Sequence, residues 1–293
     1  MRPRILIAYD ATPEAADGLA LGRLLANLVD GELHVARVLP DTPSTEATDR
    51  DTQAMFHATL HETQQAAAKR LHERQVELWP VFGTPVGPGI QALAADRGAD
   101  LIVLGSPHHG PVGRVLLGST AETVVAGAPC AVAIAPRRFR RQAALEPQVI
   151  GVAFNGSSES AAALEAGVDL ARAAGARLRV IAVEPSVWNR SLRRDGPDVV
   201  AELARCCAEI PDDLEVESVV LHGDPARKLN GETRRLGMLI CGSRARGPLR
   251  RVMLGSVSAA VIRSAACPVV VVPRRAAQAR YALQHRIPVA LHD

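Results

Sequence analysis

The most constraining feature of the chain is that it repeats itself. Gly105-Ser106, Gly110-Pro111, Arg114-Val115, Leu117-Gly118-Ser119, Cys130, Val132 and Pro136-Arg137-Arg138 return as Gly242-Ser243, Gly247-Pro248, Arg251-Val252, Leu254-Gly255-Ser256, Cys267, Val269 and Pro273-Arg274-Arg275. The spacing is 137 residues throughout. Nearer the start, Glu14, Leu33, Val35, Val38 and Pro40 return as Glu159, Leu178, Val180, Val183 and Pro185, now 145 residues apart. The two offsets describe one duplication, with eight extra residues in the middle of the first copy. A period this long is far beyond a solenoid repeat, so each copy must be a complete domain. We therefore expect domains at residues 1–140 and 148–275 and a C-terminal tail over 276–293. The basic stretch from Arg137 to Pro147 reads as a solvated connector.

Each copy alternates short apolar runs with helical segments. In the first, strands are expected at Ile5–Tyr9, Leu33–Leu39, Val76–Phe82, Leu101–Leu104 and Ala131–Ala135. Helices are expected at Pro13–Val29, Asp51–Arg74, Gly89–Arg97 and Ser119–Ala126. Thr12 is placed to cap the first helix, with Pro13 in its first position and Glu14 in its first turn. Continuous Val/Ile/Leu runs separated by helices predict a parallel sheet covered on both faces. The fold class is thus α/β: two tandem doubly wound domains, each an open five-stranded parallel sheet flanked by helices. Such sheets bind ligands at the carboxyl ends of their strands, where strand order reverses. Asp10 and Gly105 stand at those ends in the first copy, Asn155 and Gly242 in the second.

The segment from Gly105 to Ser119 runs from a strand end into a helix start. Its glycines allow backbone N–H groups close to an anion, and the helix beginning at Ser119 adds free donors and the positive end of its dipole. Gly255-Ser256 repeats the arrangement, although serine at a helix start is also an ordinary N-cap.

On these residues the two halves resemble the universal stress protein family, whose nucleotide-binding members carry Gly-x2-Gly-x9-Gly-[Ser/Thr] after the fourth strand. The resemblance covers nearly all of residues 4–136 and 148–273, and implies an adenine nucleotide α-hydrolase-like fold. Gly105 and Gly118-Ser119 match the ends of the motif, as do Gly242 and Gly255-Ser256. The middle glycine is replaced by His108 and Ala245, with Gly110 and Gly247 two positions later. The family's first-strand aspartate falls on Asp10 and becomes Asn155 in the second copy. Its adenine-lining strand position falls on Val38 and Val183, and its turn after the third strand on Gly83-Thr-Pro85 and Gly223-Asp-Pro225. The nucleotide-binding set so implied is Ala8, Asp10, Val38, Gly105, His108, Gly110, Gly118, Ser119 and Thr120, then Asn155, Val183, Gly242, Ala245, Gly247, Gly255 and Ser256. The implied ligand is ATP, with Mg²⁺ as a companion. The implied assembly is a homodimer or an intramolecular pseudo-dimer.

Other signals weigh less. His57, His61 and His72 share one helix face, where a solvated face is the plainer reading than a metal site. His108-His109 lies in the glycine loop, and Arg244, Arg246, Arg250 and Arg251 flank its counterpart. Five cysteines without a CxxC pair argue against a disulfide framework or zinc site. A net charge of +3 implies no nucleic-acid partner. The initial apolar run is too short for a signal peptide, and nothing approaches the roughly 18 apolar residues of a membrane span, so a cytoplasmic location is expected. No Gly-x4-Gly-Lys-[Ser/Thr] loop or nucleophile elbow is present, so the expected role is not enzymatic. The reading is a stress-response module that binds an adenine nucleotide. Its alternatives are a nucleotide-independent docking scaffold and, behind it, a slow ATPase.

Overall fold

The computed structural model describes residues 2–39, 50–71, 76–82, 85–105, 119–141, 146–184, 198–243 and 255–273. Its first half runs β1 (Arg4–Ala8), α1 (Pro13–Val29), β2 (Glu32–Leu39), α2 (Arg50–Leu71), β3 (Glu77–Phe82), α3 (Val86–Asp96), β4 (Leu101–Gly105), α4 (Ser119–Gly127) and β5 (Ala131–Ala135). The second runs β6 (Val149–Phe154), α5 (Ser158–Ala174), β7 (Arg177–Glu184), α6 (Val199–Ala208), β8 (Val216–His222), α7 (Pro225–Glu232), β9 (Met238–Gly242), α8 (Ser256–Ser264) and β10 (Val269–Val272).

Within each half all strand pairs are parallel, in the order β3-β2-β1-β4-β5 and β8-β7-β6-β9-β10. This is the doubly wound α/β architecture expected. The halves do not stop at their own edges. β5 and β10 pair antiparallel, with Ala133 opposite Val270, so the molecule contains one ten-stranded sheet. Ala133 and Val270 are equivalent positions at the 137-residue spacing, so a pseudo-two-fold axis passes between them. Pairing the two inner edges satisfies backbone groups that either half would otherwise leave open.

Apolar strands with helices on both sides create two buried layers. Ile5, Ile7, Val35, Ile150, Val152 and Val180 pack with α1, α2, α5 and α6. Leu6, Ala36, Ile102, Ile181 and Leu239 pack with α3, α4, α7 and α8 on the opposite face. Alternate residues of each strand supply the two layers, as the period of two demands.

Helix α1 begins where its residues dictate: Thr12 Oγ1 accepts from the Ala15 N–H at 3.2 Å, with Pro13 in the first turn. Helix α3 starts at Val86, three residues ahead of expectation. Pro88 falls in its first turn, where the missing N–H costs nothing. Gly87 is needed because a Cβ there would lie 2.7 Å from Thr123 Cγ2 of α4.

The basic connector is corrected by the structure: its start is docked, not solvated. Phe139 is buried, within a 3-10 turn over Phe139–Arg141. Asp17 of α1 is only 2% exposed. It accepts from the Arg138 N–H at 2.7 Å, the Arg140 N–H at 3.1 Å and Arg140 Nη1 at 2.9 Å. Three donors satisfy a carboxylate that burial would otherwise penalise.

Candidate functional site

The order β2-β1-β4 places the reversal of connection between β1 and β4, and β7-β6-β9 does the same between β6 and β9. At the first reversal stand Ala8 at the end of β1, Asp10 just beyond it, Val38 near the end of β2 and Gly105 at the end of β4. Ala8 and Val38 are partly buried against the α3–α4 layer, and Val183 holds the same place in the second half. Helices α4 and α8 start on this face, Gly255 acting as the N-cap of α8 with no side-chain hydrogen bond of its own. Thr120 and Gly255 are partly exposed, and Ser256 is exposed. The structure thus brings Ala8, Asp10, Val38 and Gly105 to one sheet end, and likewise Asn155, Val183 and Gly242. Ser119 opens α4. His108, Gly110, Gly118, Ala245 and Gly247 lie outside the described residues, as do His72, His109, the four loop arginines and the tail.

Asp10 and Asn155 have the same local job. Asp10 Oδ1 accepts from the Thr12 N–H at 3.0 Å and Thr12 Oγ1 at 2.6 Å, closing an Asx turn onto the cap of α1. Asn155 Oδ1 accepts from the Ser157 N–H at 3.1 Å, and Ser157 Oγ caps α5 through the Ser160 N–H at 3.2 Å. Asp10 remains exposed. An amide and a carboxylate serve this turn equally, because it uses one acceptor oxygen.

The first glycine of each motif has a packing explanation. A Cβ at Gly105 would run into the Glu14 carbonyl of α1, and one at Gly242 would lie 2.6 Å from the Glu159 carbonyl of α5. The first helix of each half crosses the fourth strand so closely that only glycine fits. These glycines would be required with or without a ligand. The valines likewise contribute to the core on the same terms as any other strand residue.

Sequence reasoning passed over Ser243. It is 0% exposed, its Oγ has no hydrogen-bond partner among the described residues, and it directly follows Gly242 at the start of the loop. Its backbone N–H bonds Val272 O at 3.0 Å, and Ser258 Oγ of α8 bonds Gly242 O at 3.1 Å. Its recurrence as the serine of both Gly-Ser pairs was the available signal. Also missed was a stack beneath β2 and β3. The His34 and Trp79 rings lie 4.0 Å apart, with Arg97 over Trp79 at 5.0 Å and Glu77 Oε2 3.0 Å from His34 Nδ1.

His57 and His61 lie exposed on α2, and His61 meets Gln65. Among the described residues no group of three or more His, Cys, Asp or Glu is arranged to hold a metal ion. Cys130, Cys241 and Cys267 are buried free thiols. Desolvation pushes them up to about 12, about 11 and about 12 respectively. Among the described residues no helix is long and apolar enough to cross a membrane.

A parallel α/β unit, duplicated in tandem and joined edge to edge, with a strand ending in glycine and a helix start at each strand reversal, is the class that fold and site define. The family model for the universal stress protein family matches residues 1–136 and again 147–273. The chain belongs to the universal stress protein family, in its tandem two-domain form. It is 30% identical over 242 residues to a universal stress protein of Mycobacterium tuberculosis, covering 79% of this chain and 80% of that one. A second relative, from Mycolicibacterium smegmatis, is 26% identical over 295 residues, covering 92% and 97%. Among solved structures, a universal stress protein from Archaeoglobus fulgidus superposes with a TM-score of 0.68 at 20% identity, covering 92% and 98%. One from Pseudomonas aeruginosa gives 0.61 at 18% identity, covering 98% of both chains. At these identities the solved structures support the fold.

Proposed function

We propose that this protein is a cytoplasmic, non-enzymatic stress-response module that binds ATP or a related adenine nucleotide, with Mg²⁺, at the strand reversal of each half. The observation that carries the reading is the shared face: partly open Ala8 and Val38 lie beside exposed Asp10, on the side of the sheet where α4 begins. The second half supports it with Val183, Asn155 and the start of α8. In this reading the strand-end valines flank the base, Asp10 or Asn155 accepts from the sugar with its remaining lone pairs, and helix N-terminal donors take the phosphates. In this reading Ser243, which directly follows β9 and whose Oγ has no partner among the described residues, would add a hydroxyl there. The chain's own residues would orient the nucleotide and report its presence through conformation or association.

A specific observation favours a second reading. Because α1 and α5 themselves demand Gly105 and Gly242, those glycines are consistent with a scaffold that keeps the fold without the ligand. A calorimetric titration of the nucleotide-stripped full chain with ATP and Mg²⁺ separates the two. The nucleotide reading expects a stoichiometry near two, or near one if the copies have diverged, with binding lost in Gly118→Val combined with Gly255→Val. No heat at two temperatures, or unchanged affinity in that double variant, overturns it in favour of the scaffold.

A further inference from the structure

On the other face of the sheet, the first half contains a polar pair that the second half lacks. Tyr9 follows β1 directly, and its N–H bonds Ala36 O at 2.9 Å, extending a ladder whose last pair is Ala8 opposite Ala36. The next neighbours in that register are therefore Tyr9 and Arg37. Both face the α1–α2 layer: Tyr9 belongs to the core with Ile5, Ile7 and Val35, and Arg37 stands two residues beyond Val35. Tyr9 is 2% exposed. Its hydroxyl, together with Nε and Nη1 of Arg37, is buried without a hydrogen-bond partner among the described residues.

Buried donors are ordinarily satisfied, and a guanidinium more insistently than most groups. Here three donor atoms on adjacent strands lack an acceptor together. The fold itself does not require them, because the equivalent pair in the second half is Phe154 opposite Ala182, both buried and wholly apolar. The rest of Arg37 remains partly exposed, so the position is reachable from solvent. A guanidinium, which only donates, and a phenolic O–H on the adjacent strand together present a surplus of donors, and the complement of that surplus is an oxyanion.

We propose that the first half carries a second binding site, for a small oxyanion of the phosphate or carboxylate type, held between Tyr9 and Arg37 on the α1–α2 side of the sheet. It is separate from the proposed nucleotide position, since Ala8 and Val38 face the α3–α4 layer. It is nevertheless one residue along the chain from both Asp10 and Val38. Occupancy would therefore bear directly on the strand ends where the nucleotide is expected.

The test is calorimetry and thermal melting of the full chain with inorganic phosphate and, in a separate series, acetate, each against chloride at equal ionic strength. At least one anion should bind the wild type and raise its Tm; which of the two does so identifies the oxyanion. Arg37→Ala should weaken that binding by about tenfold or more and Tyr9→Phe by about threefold, as loss of a charge-assisted and a neutral donor predicts. The effect should persist in the Gly118→Val, Gly255→Val double variant, which separates this site from the glycine loops. Should Arg37→Ala fail to fold, Tyr9→Phe, which reproduces the residue found at 154, carries the test alone. The proposal is overturned if neither anion acts on the wild type, if Tyr9→Phe binds like the wild type, or if the effect vanishes in the glycine variants.

Discussion

The two halves share a fold but solve the same local problems with different side chains. Where the turn after the first strand needs a left-handed residue, the first half uses Ala11 at φ 67° and the second Gly156 at φ 74°. At the end of the first helix the first half uses Asp30 at φ 48° and the second Gly175 at φ 57°. Below the second and third strands the first half stacks His34 on Trp79. The second places Arg179 there, whose Nε bonds Glu232 at 3.0 Å, with Val219 at the tryptophan's position. The buried carboxylate Asp17, which anchors the connector, becomes Ala162 in the second half. The sheet and the helix crossings are thus specified by a small shared set, including Gly105 and Gly242. The positions around them tolerate polar, charged or apolar solutions.

Exchanging residues between halves probes this comparison. The largest effect is expected from Asp17→Ala, which copies Ala162. It strands the N–H groups of Arg138 and Arg140 and releases Phe139, and should lower stability by about 3 kcal/mol in chemical denaturation. A loss below about 1 kcal/mol would mean that the connector is not held by this carboxylate. Gly156→Ala, which copies Ala11, should cost about 1 kcal/mol, because the left-handed region crowds a Cβ. The reverse exchange, Ala11→Gly, should stabilise by roughly 0.5 kcal/mol, the relief being partly offset by the greater freedom of glycine in the unfolded chain. If both exchanges prove neutral in melting experiments, the two turns are not conformationally equivalent.

The thiols should make no difference at neutral pH and should then act in both halves together. Cys130 and Cys267 lie just ahead of the equivalent strands β5 and β10, and burial holds both at about 12, with Cys241 at about 11. A thiol whose folded value is raised leaves stability intact below its unfolded value near 9. Above that the unfolded chain loses protons first, so stability falls as pH rises from 9 towards 12. Native-state alkylation at pH 8 should mark the part-exposed Cys206 and Cys207 and spare the other three, since thiolate is the reactive form. Labelling of Cys130 or Cys267 before Cys206 would contradict the buried placement.

Much of the fold was legible because its signals are local. Helix α1 spans Pro13–Val29 as read, since Thr12, Pro13 and Glu14 announce its start and Asp30 closes it. The strands were legible because parallel strands covered on both faces must be apolar throughout. What escaped depended on partners distant in sequence. Asp17 looks like any helix-surface aspartate until Arg138 and Arg140 fold over it. Tyr9 and Arg37 are 28 positions apart and become neighbours only through register. Of the site, the strand-end residues were legible, and the copies of Asp10 and Val38 fell where the reversal of strand order puts them. The part-motif glycines were legible too, but their cause was not: Gly105 reads as a ligand requirement until α1 is seen lying against it.

The antiparallel junction of β5 with β10 also changes what substitution can do to the molecule. Two identical chains joined through the same edge would carry every residue change twice, once on each side of the axis. Covalent tandem linkage removes that obligation and makes the association independent of protein concentration. Each half can then drift alone, provided that the shared edge around Ala133 and Val270 still zips. Tyr9–Arg37 in one half and Phe154–Ala182 in the other, on the same face of one continuous sheet, is such a drift.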